Sequence, residues 1–503
     1  MQIEPSEDVF AARYARGEAQ VVWTTLVADL ETPVSAFLKL GGEKQSFLLE
    51  SVEGGASRGR YSIIGLEPDL IWRAQGDTAE INRNARTRAD VFEPCAEPPL
   101  ASLRALIAES RIPLPEGLPP MAAGVFGYMG YDMVRQMEHL PAEKPDPVNI
   151  PDAVMLRPTL IVVFDTVKDL MTVVTPVRPE TAVDARAALA RAIERLARVV
   201  DLLDRPLDKS LSGDAGPIEA EPRSNTSPDD YRAMVLRAKE YIAAGDAFQI
   251  VLAQRFEAPF TLPPFSLYRA LRRTNPSPYL YFLNFGSFAI AGSSPEILVK
   301  VADGTVTIRP IAGTRARGAT PHEDKALEGE LLADPKERAE HLMLLDLGRN
   351  DVGRVAEIAS VRVTDQFFVE RYSHVMHIVS NVEGKLDAKY DALDALAAGF
   401  PAGTVSGAPK VRAMQIIDEL EKDKRGLYAG CVGYFSANGT MDTCIVLRTA
   451  LVKDGTMYVQ AGAGIVADSD PQAEQQECVN KAKALFRAAE EARRFASAAE
   501  RGQ

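Results

Sequence analysis

Short runs of β-branched and aromatic residues, ended by turn-forming residues, recur along the whole chain. The first half contains QSFLLESV (45–52) and TLIVVFDTV (159–167), and the second half contains YLYFLNF (279–285) and TMYVQAGAGIV (456–466). Such runs are typical of strands. Stretches with helical apolar spacing lie between them, at 180–203, 324–348, 390–399, 409–420 and 471–495. Both halves therefore predict a mixed α/β (α+β type) fold with mainly antiparallel sheets.

The chain is too long for one compact core. With 503 residues, of which 46% are hydrophobic, it predicts two domains or one large double-layered domain. Residues 204–230 are rich in Pro, Ser, Gly and charge, which indicates a linker or a long surface loop. We therefore expect an N-terminal domain at 20–175 and a C-terminal domain at 227–490.

Net charge and cysteine content limit which binding partners and which cellular compartment we expect for the chain. A net charge of −13 argues against nucleic acid or an anionic membrane as the main partner. The longest apolar runs, such as LIVVF at 160–164, are too short to cross a bilayer, and the N-terminal residues do not resemble a signal peptide. The four cysteines lack metal-type spacing, so we expect reduced, mostly buried thiols in a cytoplasmic protein.

Residues 469–486, SDPQAEQQECVNKAKALF, predict a helix with an inward-leaning charged face. Asp470 suits the N-cap and the following proline suits the first turn. Glu474, Glu477 and Lys481 share one face, which Leu485 continues toward the core. Taken alone, Glu477 and Lys481 predict only an exposed ion pair that contributes about 0.2–0.5 kcal/mol.

A second helix, residues 334–351 (DPKERAEHLMLLDLGRND), carries another acidic pair. Asp334 suits the N-cap, and Glu337, three residues later, suits a capping box. Glu340 has no such role and lies beside an apolar run. If the two helices face each other, their carboxylates converge and need a cation. Oxygen ligands without Cys or His favour Mg²⁺, which also binds anionic substrates.

Eight segments, in this order, resemble the chorismate-utilising enzymes, and most closely the branch that forms anthranilate. The likeness covers roughly residues 20–490. The segments are LLESVEGG (48–55), GRYSIIG (59–65), GVFGYMGYD (124–132), PIAGTRARG (310–318), EHLMLLDLGRNDVGR (340–354), SHVMHIVSNVEG (373–384), FPAGTVSGAPKVRAM (400–414) and AGAGIVADSDPQAEQQE (461–477).

The resemblance implies a large sandwich of two mainly antiparallel sheets flanked by helices, with the active site in the C-terminal part. It implies that chorismate and ammonia are converted to anthranilate and pyruvate in tryptophan biosynthesis. Glu340 and Glu477 would bind Mg²⁺, with Glu337 and Glu474 supporting. The metal would hold the ring carboxylate and act as a Lewis acid.

The resemblance also implies which residues carry the chemistry. Glu296 would be the general acid, which requires a raised pKa, although its local pattern favours a solvated turn after Pro295. His377, rather than the nearby His374, would act as a base or as an electrostatic partner of the leaving enolpyruvate. Gln249 and Thr404 complete the catalytic set. The implied substrate contacts are Gly313, Thr314, Tyr428, Arg448, Gly462, Ala463, Gly464 and Lys481.

Two positions separate related activities. Relatives that add water have a basic lysine where this chain has Gln249, and glutamine cannot take up a proton at neutral pH. Many aminodeoxychorismate synthases have a nucleophilic lysine where this chain has Ala312. An aminodeoxychorismate synthase component and a non-catalytic tryptophan-binding regulator stay as alternatives.

The segments LLES and NPSPYLYF resemble the tryptophan-binding elements of feedback-inhibited relatives. Leucine at 280 replaces the methionine that is common there, and the two have similar bulk. The implied inhibitor-binding residues are Glu50, Ser51, Pro278, Tyr279 and Leu280.

The sequence shows no glutamine-hydrolysing module. Cys431 has glycines nearby, but all five histidines precede it. The resemblance therefore implies a separate glutamine amidotransferase subunit in a hetero-oligomer, and the isolated chain is expected to use free ammonia.

Overall fold

The computed structural model describes residues 1–42, 44–51, 59–141, 144–207, 221–372 and 375–496. The strands in these ranges, in chain order, are β1 (Gln20–Val27), β2 (Ser46–Glu50), β3 (Tyr61–Gln75), β4 (Thr78–Asn82), β5 (Glu93–Pro94), β6 (Gly124–Met129), β7 (Ala153–Asp165), β8 (Leu170–Val177), β9 (Arg223–Ser224), β10 (Gln249–Pro259), β11 (Tyr279–Asn284), β12 (Phe288–Ser294), β13 (Ile297–Ala302), β14 (Thr305–Ile308), β15 (Ile311–Ala316), β16 (Arg362–Arg371), β17 (Val375–Lys385), β18 (Gly407–Ala408), β19 (Cys431–Ser436), β20 (Met441–Ile445), β21 (Thr449–Lys453) and β22 (Thr456–Ile465).

Helices cover the outer surfaces of these strands. They are α1 (Glu7–Ala15), α2 (Pro33–Lys39), α3 (Pro99–Glu109), α4 (Ala185–Leu203), α5 (Pro228–Ala243), α6 (Pro264–Thr274), α7 (Pro321–Ala333), α8 (Pro335–Gly353), α9 (Ala392–Gly399), α10 (Gly403–Ser406), α11 (Lys410–Leu420) and α12 (Pro471–Glu491), with short 3-10 turns at Pro120–Ala122, Tyr131–Gln136 and Ala492–Phe495.

Two arms of antiparallel strands extend from the long β3–β7 pair. One arm runs from β3 through β2, β11, β12, β21 and β22 to β10. The other runs from β7 through β6, β19, β20, β13 and β14 to β17. Strands of the first half of the sequence therefore form the centre of one hydrogen-bonded network, and strands of the second half extend it in both arms.

The two arms pack against each other as the layers of a sandwich. One apolar cluster contains Phe47, Tyr281 and Ile290 from the first arm and Phe126 and Val432 from the second. Separate clusters bury the outer face of each arm beneath helices. The apolar interior between the facing sheets buries one surface of each layer, and the helices bury the other surface.

The mixed α/β class and the antiparallel pairing are confirmed, and the two layers are arms of one network. The described part of segment 204–230 includes β9, which pairs with β10, and the start of α5. Residues 208–220 lie outside the described residues, so the linker and the domain bounds 20–175 and 227–490 stay predictions. All four cysteines are free, and three of them are buried, as expected. No helix in the described ranges is long and apolar enough to cross a membrane.

Candidate active site

Glu296 is buried between β12 and β13, with only 4% of its surface exposed. The Thr404 hydroxyl, at the start of α10, donates a hydrogen bond to its Oε1 at 2.8 Å. Burial raises the pKa of the Glu296 carboxyl to about 8, although the bonds from Thr404 and the Ile311 backbone oppose the shift. The solvated turn suggested by the local pattern is wrong, and the raised pKa that acid catalysis requires is present.

His377 lies on β17, where β17 pairs with β15. Its Nδ1 is 2.9 Å from the carbonyl oxygen of Gly313 and 3.1 Å from the Thr314 hydroxyl. A carbonyl only accepts, so Nδ1 carries the proton and Nε2 of the neutral ring is an acceptor. Burial lowers the pKa of His377, and the positive charge of Arg448 lowers it further. His374 lies outside the described residues.

Strand β15 places these two groups on a common support. Its first residue, Ile311, contacts Glu296 through the backbone, and Gly313 and Thr314 hold His377. Gly313 has a φ of +69°, and a Cβ there would lie 3.1 Å from Oε2 of Glu337. Glycine thus allows a backbone turn and a close approach of a carboxylate at one position.

The four predicted metal-site glutamates lie on α8 and α12, and these helices are electrostatically coupled. Burial raises the pKa of Glu340, and the negative charges of Glu337 and Glu477 raise it further. Burial also raises the pKa of Glu474, again with a contribution from Glu477. The effect of Glu477 on Glu340 crosses between the two helices, so these two carboxylates are near enough to repel each other.

Two of these glutamates also have cationic partners. Glu337 does not form the capping box; the Asp334 side chain alone caps α8, and Arg315 donates to Oε1 of Glu337 at 3.0 Å. Glu477 forms the expected ion pair with Lys481 at 2.7 Å, with about half of each side chain exposed. Lys481 also donates to the Gly462 carbonyl at 2.9 Å, so it links α12 to β22.

The chemistry of this carboxylate group fits a hard divalent cation. Within the described ranges, no three His, Cys, Asp or Glu side chains are already arranged around a metal position. Mg²⁺ needs only one or two protein carboxylates when water and an anionic substrate supply the other ligands. Mutual repulsion that raises the pKa of Glu340 and Glu474 is relieved by such a cation.

Strands β10 and β22 form the opposite wall. Gln249 begins β10, and its Nε2 lies 3.5 Å from Oε1 of Glu340. A Cβ at Gly464 would lie 2.4 Å from that same Nε2, so glycine makes room for the amide. A Cβ at Gly462 would lie 2.8 Å from the Tyr428 hydroxyl. These contacts bring Gln249, Tyr428 and the glycines of β22 together around the acidic helices.

Among the described residues, the far edge of β22 is unpaired with another strand over its last residues, although the Gly462 backbone there already bonds to Tyr428 and Lys481. Strand β21 pairs with β22 only up to Val459, and in the described part of the chain no strand continues that edge over residues 460–465. Backbone N–H groups of Gly462, Ala463 or Gly464 that point to this edge can donate to a carboxylate. Arg448 lies between β20 and β21, close enough to His377 to affect its pKa.

Some supporting residues were not identified from the sequence. His341, next to Glu340, is fully buried, and its Nε2 lies 2.7 Å from the hydroxyl of Ser380 on β17. It therefore fixes α8 relative to the strand that carries His377. Arg425 is buried with Glu421 and stacks its guanidinium 5.5 Å from the ring of Tyr428. For His341 the available signal was an imidazole beside the apolar run 342–345, whereas Arg425 and Glu421 lie in a run of charged residues that gave no such signal.

The five residues expected to bind tryptophan meet away from this site, where β2 pairs with β11. Glu50 lies opposite Leu280, and the Ser51 hydroxyl donates to the Pro278 carbonyl at 3.1 Å. Glu50 is buried and accepts hydrogen bonds from Tyr268 and Arg272. Tyr279 and Leu280 are adjacent in a strand, so their side chains point to opposite faces.

Comparison with known proteins decides the family. Residues 48–487 match the family described as chorismate binding enzyme. The chain belongs to the chorismate binding enzyme family. Within this family it is 58% identical to anthranilate synthase component 1 of Cereibacter sphaeroides, over 99% of this chain and 100% of that protein. Anthranilate synthase component 1 of Pseudomonas aeruginosa is 48% identical over 92% of this chain and 94% of its own length.

Solved structures of the family share the fold. Anthranilate synthase component I from Streptococcus pneumoniae superposes with a TM-score of 0.75 at 38% identity, over 92% of this chain and 98% of that one. The menaquinone-specific isochorismate synthase from Escherichia coli gives a TM-score of 0.70 at 20% identity, over 96% and 100%. This second likeness concerns the fold alone, since the identity is low.

Proposed function

We propose that this chain is component 1 of a cytoplasmic anthranilate synthase, a carbon–oxygen lyase that converts chorismate and ammonia to anthranilate and pyruvate. Alignments to proteins of that name that cover nearly the whole chain, at 58% and 38% identity, support the assignment. The observation that carries the mechanism is that β15 contacts both a buried carboxyl with a raised pKa, Glu296, and the imidazole of His377, whose Nδ1 faces the Gly313 carbonyl.

In the first step ammonia adds at ring C2 while the C4 hydroxyl leaves. Glu296 donates the proton that turns this hydroxyl into water, and Thr404 fixes the orientation of the carboxyl. Gln249 offers an amide rather than a base near Glu340, which suits a nucleophile that arrives already as ammonia. Glu296 is then a carboxylate and must regain a proton before the next turnover.

In the second step pyruvate is eliminated and the ring becomes aromatic. The Nε2 of His377 is free to accept the C2 proton because Nδ1–H is held by the Gly313 carbonyl. This arrangement favours the base role over a purely electrostatic one. Arg448 and the N–H groups of β22 would hold the carboxylates of chorismate, and Tyr428 and Lys481 would close the pocket.

Glu340 and Glu477 would hold Mg²⁺, with Glu337 and Glu474 supporting the site. The bound ion would supply Lewis-acid stabilisation of the ring carboxylate. Tryptophan would bind at the β2–β11 pair as the feedback inhibitor. A partner amidotransferase subunit, component II, would supply ammonia from glutamine.

The decisive experiment is a fluorescence assay of the purified chain with chorismate, Mg²⁺ and ammonium, with and without tryptophan. We expect fluorescent anthranilate to form without any added lyase, and tryptophan to suppress it. An aminated product that needs a separate lyase would indicate an aminodeoxychorismate synthase component instead. Tryptophan binding without turnover would indicate a regulator.

A further inference from the structure

The buried position of Glu296 creates a problem of proton supply. Under the proposed function, on which this inference rests, Glu296 loses one proton in each turnover. Only 4% of its surface is exposed, so bulk water has little direct access to the carboxyl once substrate covers the other side. A route for the returning proton must therefore run through the protein.

A small cavity lies beside Glu296, and neither His377 nor Arg448 lines it. Its volume is about 30 Å³, and its walls are mostly apolar. The polar side chains that line it are Glu296, Thr404 and Asp351. A volume above roughly 10–15 Å³ holds a water molecule, and three polar groups are enough to bind one.

Asp351 connects this cavity to a buried lysine. Nζ of Lys410, the first residue of α11, donates to Oδ2 of Asp351 near the end of α8 at 2.8 Å. Asp351 is 6% exposed and Lys410 is 8% exposed. Lys410 also lines a wide groove of about 910 Å³ on the outer side of α8. The pair therefore spans the wall between an open groove and the cavity of the general acid.

We propose that Lys410 and Asp351 form a proton relay that returns a proton from solvent to Glu296 after each turnover. The Lys410 ammonium passes a proton to the Asp351 carboxylate and regains one from water in the groove. Asp351 passes its proton to a water molecule in the cavity, which gives one of its own to the Glu296 carboxylate. One proton enters per cycle, and every relay group returns to its starting state.

The electrostatics of the pair suit this exchange. Burial raises the pKa of Asp351 and lowers the pKa of Lys410, so the two groups become closer in proton affinity. The other charges that act on the pair are Arg354, which affects both groups, and Glu138, which affects Lys410. Arg354 and Glu138 are themselves within 3.7 Å of each other.

The test compares Asp351→Asn with the double variant Asp351→Asn/Lys410→Met, in which no buried charge is left without a partner. We expect kcat to fall about tenfold or more in both, with little change in KM for chorismate. The solvent deuterium isotope effect on kcat should rise, since proton return becomes the slow step. In a Glu296→Gln background, Asp351→Asn should cause no further loss of kcat, because the effects of residues that act as a unit are not additive.

Asp69→Asn is the matched control. Asp69 pairs with the buried Arg157 at 2.8 Å in the N-terminal half, so its loss also breaks an ion pair of a buried cation, which keeps Glu109 as its second partner. It should leave kcat and the isotope effect unchanged. If both Asp351 variants keep the wild-type kcat and isotope effect, or if Asp351→Asn is fully additive with Glu296→Gln, the relay is refuted. Failure of wild-type protein to form anthranilate would instead refute the proposed function.

Discussion

Glu296 and the Glu340 carboxylate group both have raised pKa values, and they do so for different reasons. Around Glu296 the cause is burial, with no charged neighbour contributing. Around Glu340 burial is joined by the negative charges of Glu337 and Glu477. A solitary buried carboxyl is suited to donate a proton, whereas a group of mutually repelling carboxylates is suited to hold a cation. The cause of the pKa shift, rather than its direction, distinguishes the proposed general acid from the proposed metal site.

Glu296→Gln should have the largest effect. The amide keeps the shape and the Thr404 contact but cannot donate a proton to the leaving hydroxyl. We expect kcat to fall about 10²–10⁴-fold, the usual contribution of a general acid. The Mg²⁺ concentration for half-maximal activity should not move, because the other carboxyl group is untouched. A variant with nearly normal kcat would exclude Glu296 as the acid.

Glu340→Gln should weaken Mg²⁺ binding at the proposed metal site. It removes a negative charge and one oxygen ligand while α8 stays anchored through His341 and Ser380. A loss of several kcal/mol of metal stabilisation corresponds to a fall of the order of 100-fold in turnover. Higher Mg²⁺ should restore part of the activity, which can be followed by titration in the anthranilate assay. Near-normal turnover with an unchanged Mg²⁺ requirement would remove Glu340 from the metal site.

Local sequence patterns predicted the second group far better than the first. The caps at Asp334 and Asp470 and the helical spacing predicted helices α8 and α12 correctly, since these depend on residues a few positions apart, while the metal site on them stays a prediction. Local pattern gave Glu296 a solvated turn, because its burial depends on β12, β13 and α10 meeting in the fold. The resemblance to the family, not local pattern, predicted a catalytic role for Glu296.

Contacts between distant residues account for what the sequence did not reveal. Asp351 and Lys410 lie 59 positions apart, and each looks like an ordinary surface charge in its own segment. Glu337 suited a capping box, but Arg315, 22 positions away, holds it instead. Pairing partners of this kind are set by the packing of α8 against its neighbours. The spacing of apolar residues within a single segment does not reveal that packing.

The pH dependence of the wild-type enzyme should distinguish the two groups further. Glu296 acts in its protonated form, and its pKa is about 8, so kcat should fall about tenfold per pH unit above that value. Because this pKa is raised by folding, protonated Glu296 stabilises the native state at low pH, and that contribution is lost as pH rises through 8. Thermal unfolding at pH 6 and pH 9 should therefore show a smaller pH-dependent decrease for Glu296→Gln than for wild type. An equal decrease would assign the pKa to another group.

Ser51→Ala should have the smallest effect and should leave both carboxyl groups as they are. Beside it, the buried side chain of Glu50 forms an ion pair with Arg272. The Ser51 hydroxyl donates one hydrogen bond to the Pro278 carbonyl, which fixes β2 against the start of β11. Loss of about 1 kcal/mol of hydrogen bonding corresponds to roughly a fivefold weaker tryptophan inhibition.

Inhibition curves at fixed chorismate measure this shift, with the uninhibited kcat as the control. If inhibition is unchanged, the inhibitor binds elsewhere; if the uninhibited kcat falls as well, the β2–β11 pair supports the catalytic carboxyls and the two regions are not independent.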